Sequence, residues 1–86
     1  MYTINITEKA IEQLKKLPKV IQPKLAKKID ELASNPFPAS AKKLKGFHSL
    51  YRIRFSEYRI VYEVLETEVV ITILTLGNRK DIYNQL

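Results

Sequence analysis

The sequence contains no cysteine and only one histidine, His48. The first absence excludes a disulfide scaffold and any thiolate metal site, and the second excludes a metal site built from clustered histidines. No apolar run is long enough to span a bilayer, and the N-terminus lacks the charged-then-apolar pattern of a signal peptide. We therefore expect a cytoplasmic protein that carries neither a metal nor another cofactor.

The charge of the chain is strongly unbalanced. Fifteen lysines and arginines stand against nine acidic residues, which gives a net charge of +6. This excess predicts a polyanionic partner, either nucleic acid or an acidic protein, although a basic protein that is merely soluble would have the same composition. The 86 residues, 45% of them hydrophobic, predict one small domain spanning residues 1–86 with a single core.

Hydrophobic periodicity divides the chain into a strand, two helices and three further strands. Tyr2–Ile6 alternates as a strand does, Thr7 suits a helix N-cap, and Pro18 ends the first helix. The apolar stripe of the second helix, which is predicted to start near Lys19, consists of Ile21, Leu25, Ile29 and Leu32. The last strands are predicted at Leu50–Phe55, Tyr58–Leu65 and Val69–Leu76. This βααβββ order predicts an α+β fold, an antiparallel sheet with the N-terminal helical hairpin packed on one face.

The stretch "LYRIRFSEYRIVYEV" fixes the register of the central hairpin. With the turn centred at Ser56-Glu57, the face toward the helices pairs Tyr51 with Tyr62, Ile53 with Ile60 and Phe55 with Tyr58. The other face then sets Arg54 directly opposite Arg59, with Arg52 opposite Val61. Like charges in that position destabilise a sheet, so a purely structural role does not account for them.

The end of the last strand should bring more basic residues to the paired arginines. Gly77 is expected level with the Ser56-Glu57 turn, so Arg79 and Tyr83 would join the arginines in a cationic pocket. Several guanidinium groups suit a phosphate, and a phenol can transfer a proton or stack on a base. No acidic cluster nearby could hold Mg²⁺, and RNA supplies its own nucleophile in the 2′-OH. Metal-free RNA cleavage to a 2′,3′-cyclic phosphate would fit.

Simpler interpretations of the same residues stay open. A basic sheet face is more often a binding surface than a catalytic one, and Tyr83 could be a packing aromatic. The residues predicted to contact RNA because of their position beside the pocket are Lys42, Lys43, Lys45, His48 and Lys80. His48 could equally be a solvated loop histidine.

The segments "KKLKG", "YRIRFSEYRIVYEV" and "ILTLGNRKDIY" resemble the RelE/ParE superfamily of bacterial and archaeal toxins, in its RelE branch. The resemblance implies the toxin of a type II toxin–antitoxin pair. It further implies a ribosome-dependent endoribonuclease, an mRNA interferase, that cuts mRNA in the A site and stops translation. The implied partners are a cognate antitoxin protein that wraps the toxin and, for the joint complex only, operator DNA.

Carried over position by position, the resemblance implies catalytic roles for Arg52, Arg54, Arg59, Arg79 and Tyr83. Well-known active members have lysines at the positions of Arg52 and Arg54, and many relatives have histidine where Asn78 stands. Since arginine gives up a proton far less readily than lysine, the group that accepts the 2′-OH proton is left open. Two other functions also stay open: a ParE-like inhibitor of DNA gyrase, and a catalytically silent member that binds an antitoxin or promoter.

Overall fold

The computed structural model describes residues 1–78. Two helices, α1 (Glu8–Lys15) and α2 (Gln22–Leu32), lie between the first strand and the others. The strands are β1 (Thr3–Ile6), β2 (Lys42–Lys43), β3 (Leu50–Phe55), β4 (Tyr58–Leu65) and β5 (Val70–Asn78). Three predicted site residues, Arg79 and Tyr83 of the pocket and the RNA contact Lys80, lie outside the described residues.

The strands form one five-stranded sheet in the order β1-β5-β4-β3-β2, which confirms the α+β class. The sheet is mixed, whereas a wholly antiparallel sheet was expected, because β1 pairs with β5 in parallel and the other neighbours are antiparallel. The alternation of apolar and polar residues is the same whichever way a strand runs, so it could not reveal this direction. The two-residue strand β2 also lies where a loop was expected.

Helix α1 is hydrogen-bonded to the part of β5 that does not pair with β1. Thr7 accepts a hydrogen bond at Oγ1 from the Ala10 amide (3.1 Å), as an N-cap should, and Oγ1 donates to the Leu74 carbonyl oxygen (3.1 Å). One turn further on, Gln13 Oε1 accepts from the Leu76 amide (3.0 Å). Backbone groups in the part of β5 that β1 does not pair with are thereby satisfied by side chains of the helix.

Helix α2 begins at Gln22, later than predicted, with a proline in its first turn. The residues before it form a tight turn in which the Ile21 amide bonds the Pro18 carbonyl oxygen (2.9 Å). Gln22 Nε2 donates to the carbonyl oxygens of Lys15 (3.1 Å) and Leu17 (2.9 Å). This side chain therefore caps the end of α1 and fixes the corner between the helices.

The core lies between the helices and one face of the sheet, as the stripes predicted. The helices contribute Ala10, Leu25, Ile29 and Leu32, and the strands contribute Ile53, Tyr58, Ile60, Tyr62, Val64, Ile71, Ile73 and Leu76. Leu14 and Tyr51 pack against this cluster while partly exposed. Neither helix in the described part of the chain has the length and apolar content needed to cross a membrane.

Tyr62 links the core to the segment that follows α2. Its hydroxyl donates to the Pro36 carbonyl oxygen (2.8 Å), and its ring stacks on Tyr51 at 5.9 Å between centroids. Burial raises the pKa of Tyr62 to about 12, with a further contribution from Tyr51. The phenol is thus held in its neutral, hydrogen-bond-donating form.

Candidate nucleic-acid interface

The central hairpin has the register that the alternation predicted. Tyr51 pairs with Tyr62, Ile53 with Ile60 and Arg54 with Arg59. The loop between β3 and β4 is only two residues long, and Ser56 adopts a positive φ of 56° to close it. A two-residue turn does not allow β3 to pair with β4 in another register, so the Arg54–Arg59 pair is a fixed feature of the sheet.

The two paired arginines differ sharply in exposure. Arg54 is exposed, whereas Arg59 is only 4% exposed. Arg59 directs Nη1 to the carbonyl oxygen of Tyr58 (3.2 Å), which holds the guanidinium close to the sheet. Arg54 thus presents its charge to solvent, while Arg59 holds its charge in place through a hydrogen bond, and donors held in place are those that can be preorganised for an anion.

Gly77 flanks the pair on its other side. It lies directly opposite Arg59 on β5, so Arg59 has a second arginine as one cross-strand neighbour and a residue without a side chain as the other. Gly77 has a φ of +153°, and apart from its chain neighbours nothing lies within 4 Å of the place where a Cβ would be. The expected meeting of Gly77 with the arginine end of the hairpin is confirmed, and it leaves open space beside the guanidinium groups.

Strand β2 extends the basic surface by one more strand. Lys42 lies opposite Arg52, and Lys43 lies opposite Tyr51. Paired residues share a face, so Lys42 joins the arginines while Lys43 belongs to the helix-covered side. We name the surface formed by Lys42, Arg52, Arg54 and Arg59 the arginine face. Lys45 and His48 are exposed in the hairpin loop beyond β2 and do not lie on the strands of this face.

Two residues near the arginine face were not predicted as site residues from the sequence. Glu63 alternates with Arg59 and Val61 on β4, so it places a half-buried carboxylate on the arginine face, diagonal to Arg52. The same alternation that located the arginines could have found it. Phe47 is 45% exposed between Lys45 and His48, and an aromatic ring inside a basic loop was the available signal.

The arginine face is suited to hold a polyanion without a metal ion. Residues directly opposite each other on neighbouring strands have Cβ atoms typically about 5 Å apart, so Arg54 and Arg59 place two cations at adjacent points of the arginine face. Within residues 1–78 there is no group of three or more carboxylates or histidines that could hold a metal ion. A cleft of about 280 Å³ lies between α2 and residues 34–40, on the helix side of the sheet. None of the predicted site residues lines it.

Comparison with known proteins finds bacterial and archaeal proteins that are similar in sequence. Residues 4–83 match the family described as the ParE toxin of the type II toxin–antitoxin system parDE. A RelE-like protein of Escherichia coli is 37% identical, over 96% of this chain and 90% of its own length. The mRNA interferase toxin RelE of Escherichia coli K12 is 32% identical, over 98% of this chain and 92% of its own length.

The fold is also that of one chain in a solved complex. The chain superposes on one from the crystal structure of the archaeal RelE–RelB complex of Pyrococcus horikoshii with a TM-score of 0.81 and 32% identity. The match covers 91% of this chain and 94% of that one.

Proposed function

The chain belongs to the ParE toxin family of type II toxin–antitoxin systems, and we propose that it is a ribosome-dependent mRNA interferase. The observation that carries the proposal is the Arg54–Arg59 pair, two cations held directly opposite each other where a stable sheet would prefer opposite charges. Curated relatives that are mRNA interferases support it. The proposed substrate, mRNA on the ribosome, would place the activity in the cytoplasm.

In the proposed reaction the 2′-hydroxyl of one nucleotide gives its proton to a base, its oxygen attacks the adjacent phosphorus, and the bond from phosphorus to the 5′-oxygen of the next nucleotide breaks. The products are a 2′,3′-cyclic phosphate and a 5′-hydroxyl, which takes up a proton. Negative charge grows on the phosphate oxygens in between, and Arg59 with Arg54 would stabilise it. The nucleophile belongs to the RNA, so no metal ion is required in the proposed mechanism.

The other proposed catalytic residues are Arg52, Arg79 and Tyr83. Arg52 would bind a flanking phosphate from the middle of the arginine face, and Arg79 would stabilise the leaving oxygen. Tyr83 would accept or donate the proton, or else stack on a base. Phosphate contacts are proposed for Lys42, Lys43, Lys45, His48 and Lys80, of which Lys42 has the strongest support because it lies opposite Arg52.

The proposed protein partner is an antitoxin related to RelB. Chains with this fold have been crystallised with RelB, both from Escherichia coli and from archaea. We propose that a cognate antitoxin suppresses the cleavage activity and that operator DNA is bound only by the joint complex. Inhibition of DNA gyrase is the weaker alternative, because the curated relatives are RelE proteins.

The test is cleavage of a defined mRNA on purified ribosomes, with primer extension to map the cut. A matched mRNA carrying a 2′-deoxy nucleotide at the mapped position is the control, because it removes only the nucleophile. The proposal expects cleavage of the first mRNA, a 5′-hydroxyl that polynucleotide kinase can label, and no cut in the deoxy substrate. Loss of gyrase supercoiling activity with intact mRNA would establish the alternative instead.

Tyr83 has its own pair of variants in this assay. Tyr83→Phe keeps the ring and removes the hydroxyl, whereas Tyr83→Ala removes both. Slow cleavage by both variants indicates proton transfer, because only the hydroxyl is common to the two losses. Full activity of Tyr83→Phe with an inactive Tyr83→Ala assigns the ring to stacking, and the proton acceptor must then be sought among other groups.

A further inference from the structure

The chain exposes two phenylalanines to a similar degree, and packing explains only one of them. Phe37 is 41% exposed, but its ring meets Tyr51 edge-on at 5.0 Å between centroids and so covers the Tyr51–Tyr62 stack. Phe47 is 45% exposed and has no aromatic contact within residues 1–78. A single exposed apolar residue is ordinary on a protein surface, so the surroundings of Phe47 must decide its meaning.

Phe47 occupies the tip of the hairpin that joins β2 to β3. The Leu44 amide bonds the Leu50 carbonyl oxygen (2.9 Å), which closes the loop below it. Gly46 has a φ of +83°, a conformation that side-chain-bearing residues rarely adopt, so the turn that presents Phe47 depends on glycine. The ring is therefore held out at a defined place by the backbone.

Basic residues lie on both sides of the tip, and the two strands that lead to it carry part of the arginine face. Lys45 and His48 flank Phe47 and are exposed, and the strands below the tip carry Lys42 opposite Arg52. At about 3.3 Å per strand residue, Leu50 lies roughly 13 Å from Arg54 along β3. An extended single strand held at the arginine pair and running along β3 would reach the tip within a few nucleotides.

Aromatic rings beside a cationic track are the means by which proteins grip single-stranded nucleic acid. The cations hold the backbone, and each ring offers a surface on which a base of any identity can stack. We propose that Phe47 is a stacking platform for an mRNA base a few nucleotides from the cleaved phosphodiester bond. This inference rests on the proposed RNA-cleaving function and adds a contact at the end of the sheet opposite to the arginine pair.

Phe47→Leu and Phe37→Leu form the matched pair that tests this role. Both remove a similarly exposed ring and retain apolar bulk, but only the first removes the platform. In the ribosome cleavage assay we expect Phe47→Leu to raise KM about ten- to hundred-fold, the range expected for one stacked base, with little change in kcat. Phe37→Leu should leave KM unchanged, and Phe47→Tyr should retain wild-type KM because it keeps a ring.

A spectroscopic readout separates stacking from a merely structural effect. The chain has no tryptophan, so Phe47→Trp and Phe37→Trp each introduce one reporter. Ribosomes programmed with the uncleavable deoxy mRNA should quench the fluorescence of the Phe47→Trp protein and leave that of the Phe37→Trp protein unchanged, relative to ribosomes without mRNA.

Three results would overturn the inference. One is wild-type KM in Phe47→Leu, and another is Phe47→Trp fluorescence that mRNA does not alter. Loss of antitoxin binding by Phe47→Leu with normal cleavage would show that the ring serves a protein partner and would also overturn it. Failure of the wild-type chain to cleave mRNA at all would instead count against the proposed function.

Discussion

The two faces of the β3–β4 hairpin share one backbone but carry cross-strand pairs of opposite character. On the helix side, each cross-strand pair joins apolar or aromatic residues, and Tyr62 is fully buried with its hydroxyl bonded to Pro36. On the arginine face, Arg54 meets Arg59 and Lys42 meets Arg52, so like charges are paired. The first face lowers the free energy of folding, whereas the second raises it by the repulsion of paired cations. We infer that the arginine face is kept for binding and catalysis.

Removing the large buried ring of the helix side should have the largest effect on folding. Tyr62→Ala loses a fully buried aromatic side chain, its stacking on Tyr51 and its hydrogen bond to Pro36. We expect about 3–5 kcal/mol of destabilisation, measured by urea unfolding. A small domain has about 5–15 kcal/mol in total, so this variant is expected close to the edge of folding. An unchanged unfolding midpoint would contradict the assignment of Tyr62 to the core.

Removing charge from the arginine face should affect activity instead. Arg59→Met retains an apolar stem, which limits the loss of packing at this buried position, and removes the guanidinium. Losing a transition-state contact of about 3–4 kcal/mol slows cleavage on the order of 10²–10³-fold. Single-turnover cleavage on ribosomes measures the effect, with thermal melting as the control for folding. If Arg59→Met cuts as fast as the wild type, Arg59 is not the phosphate contact.

Alkaline pH should weaken the helix side through Tyr62. The folded protein holds the pKa of this phenol at about 12, above its unfolded value of 10.0. The native state therefore keeps a proton that the unfolded state releases, so stability is fully present below pH 10 and is lost as pH rises toward 12. The measurement is the difference in unfolding free energy between wild type and Tyr62→Phe, whose ring cannot ionise. A difference independent of pH up to 12 would contradict the shift.

The smallest effect is expected from reversing one charge on β2. Lys42→Glu replaces a repulsive pair with Arg52 by an attractive one, which should stabilise the fold by about 0.2–1 kcal/mol. The same change should weaken RNA binding, since it subtracts positive charge from the arginine face. Lys43→Glu is the matched control, because Lys43 faces Tyr51 on the other side and gains no such pair. Equal stabilisation by both variants would show that the gain comes from net charge alone.

Much of the hairpin could be predicted from its sequence because one error of register would have buried arginines against the helices. The penalty for a buried unpaired charge makes that alternation informative. The direction of β1 carries no such penalty, since the strand reads alike both ways. The bulge near Leu74, between Val61 and Tyr62 of the neighbouring strand, was equally hidden, because the run "VITILTL" is apolar on either side of it.

The burial of Arg59 could not be predicted from the alternation of apolar and polar residues, for a different reason. A strand pattern says which face a side chain leaves from, but what later covers that side chain depends on segments remote in sequence. Val61 is likewise fully buried although it points to the arginine face. Those parts of the predicted site that depend on Arg79 and Tyr83 stay predictions, since these residues lie outside the described range.

The position of β5 between two other strands has a consequence for how the molecule reaches its native state. The hairpin that aligns Arg54 with Arg59 is local and can form early, but β5 must insert between β4 and β1, whose partners Thr3 and Val70 lie far apart in the chain. Contacts of such long range close slowly, and during synthesis they must wait for the later strand to emerge. Gly77, which flanks Arg59, belongs to that late strand. A nascent chain whose β5 has not yet emerged would therefore lack Gly77 beside the paired cations, so its site would be incomplete while the chain is still attached to the ribosome that makes it.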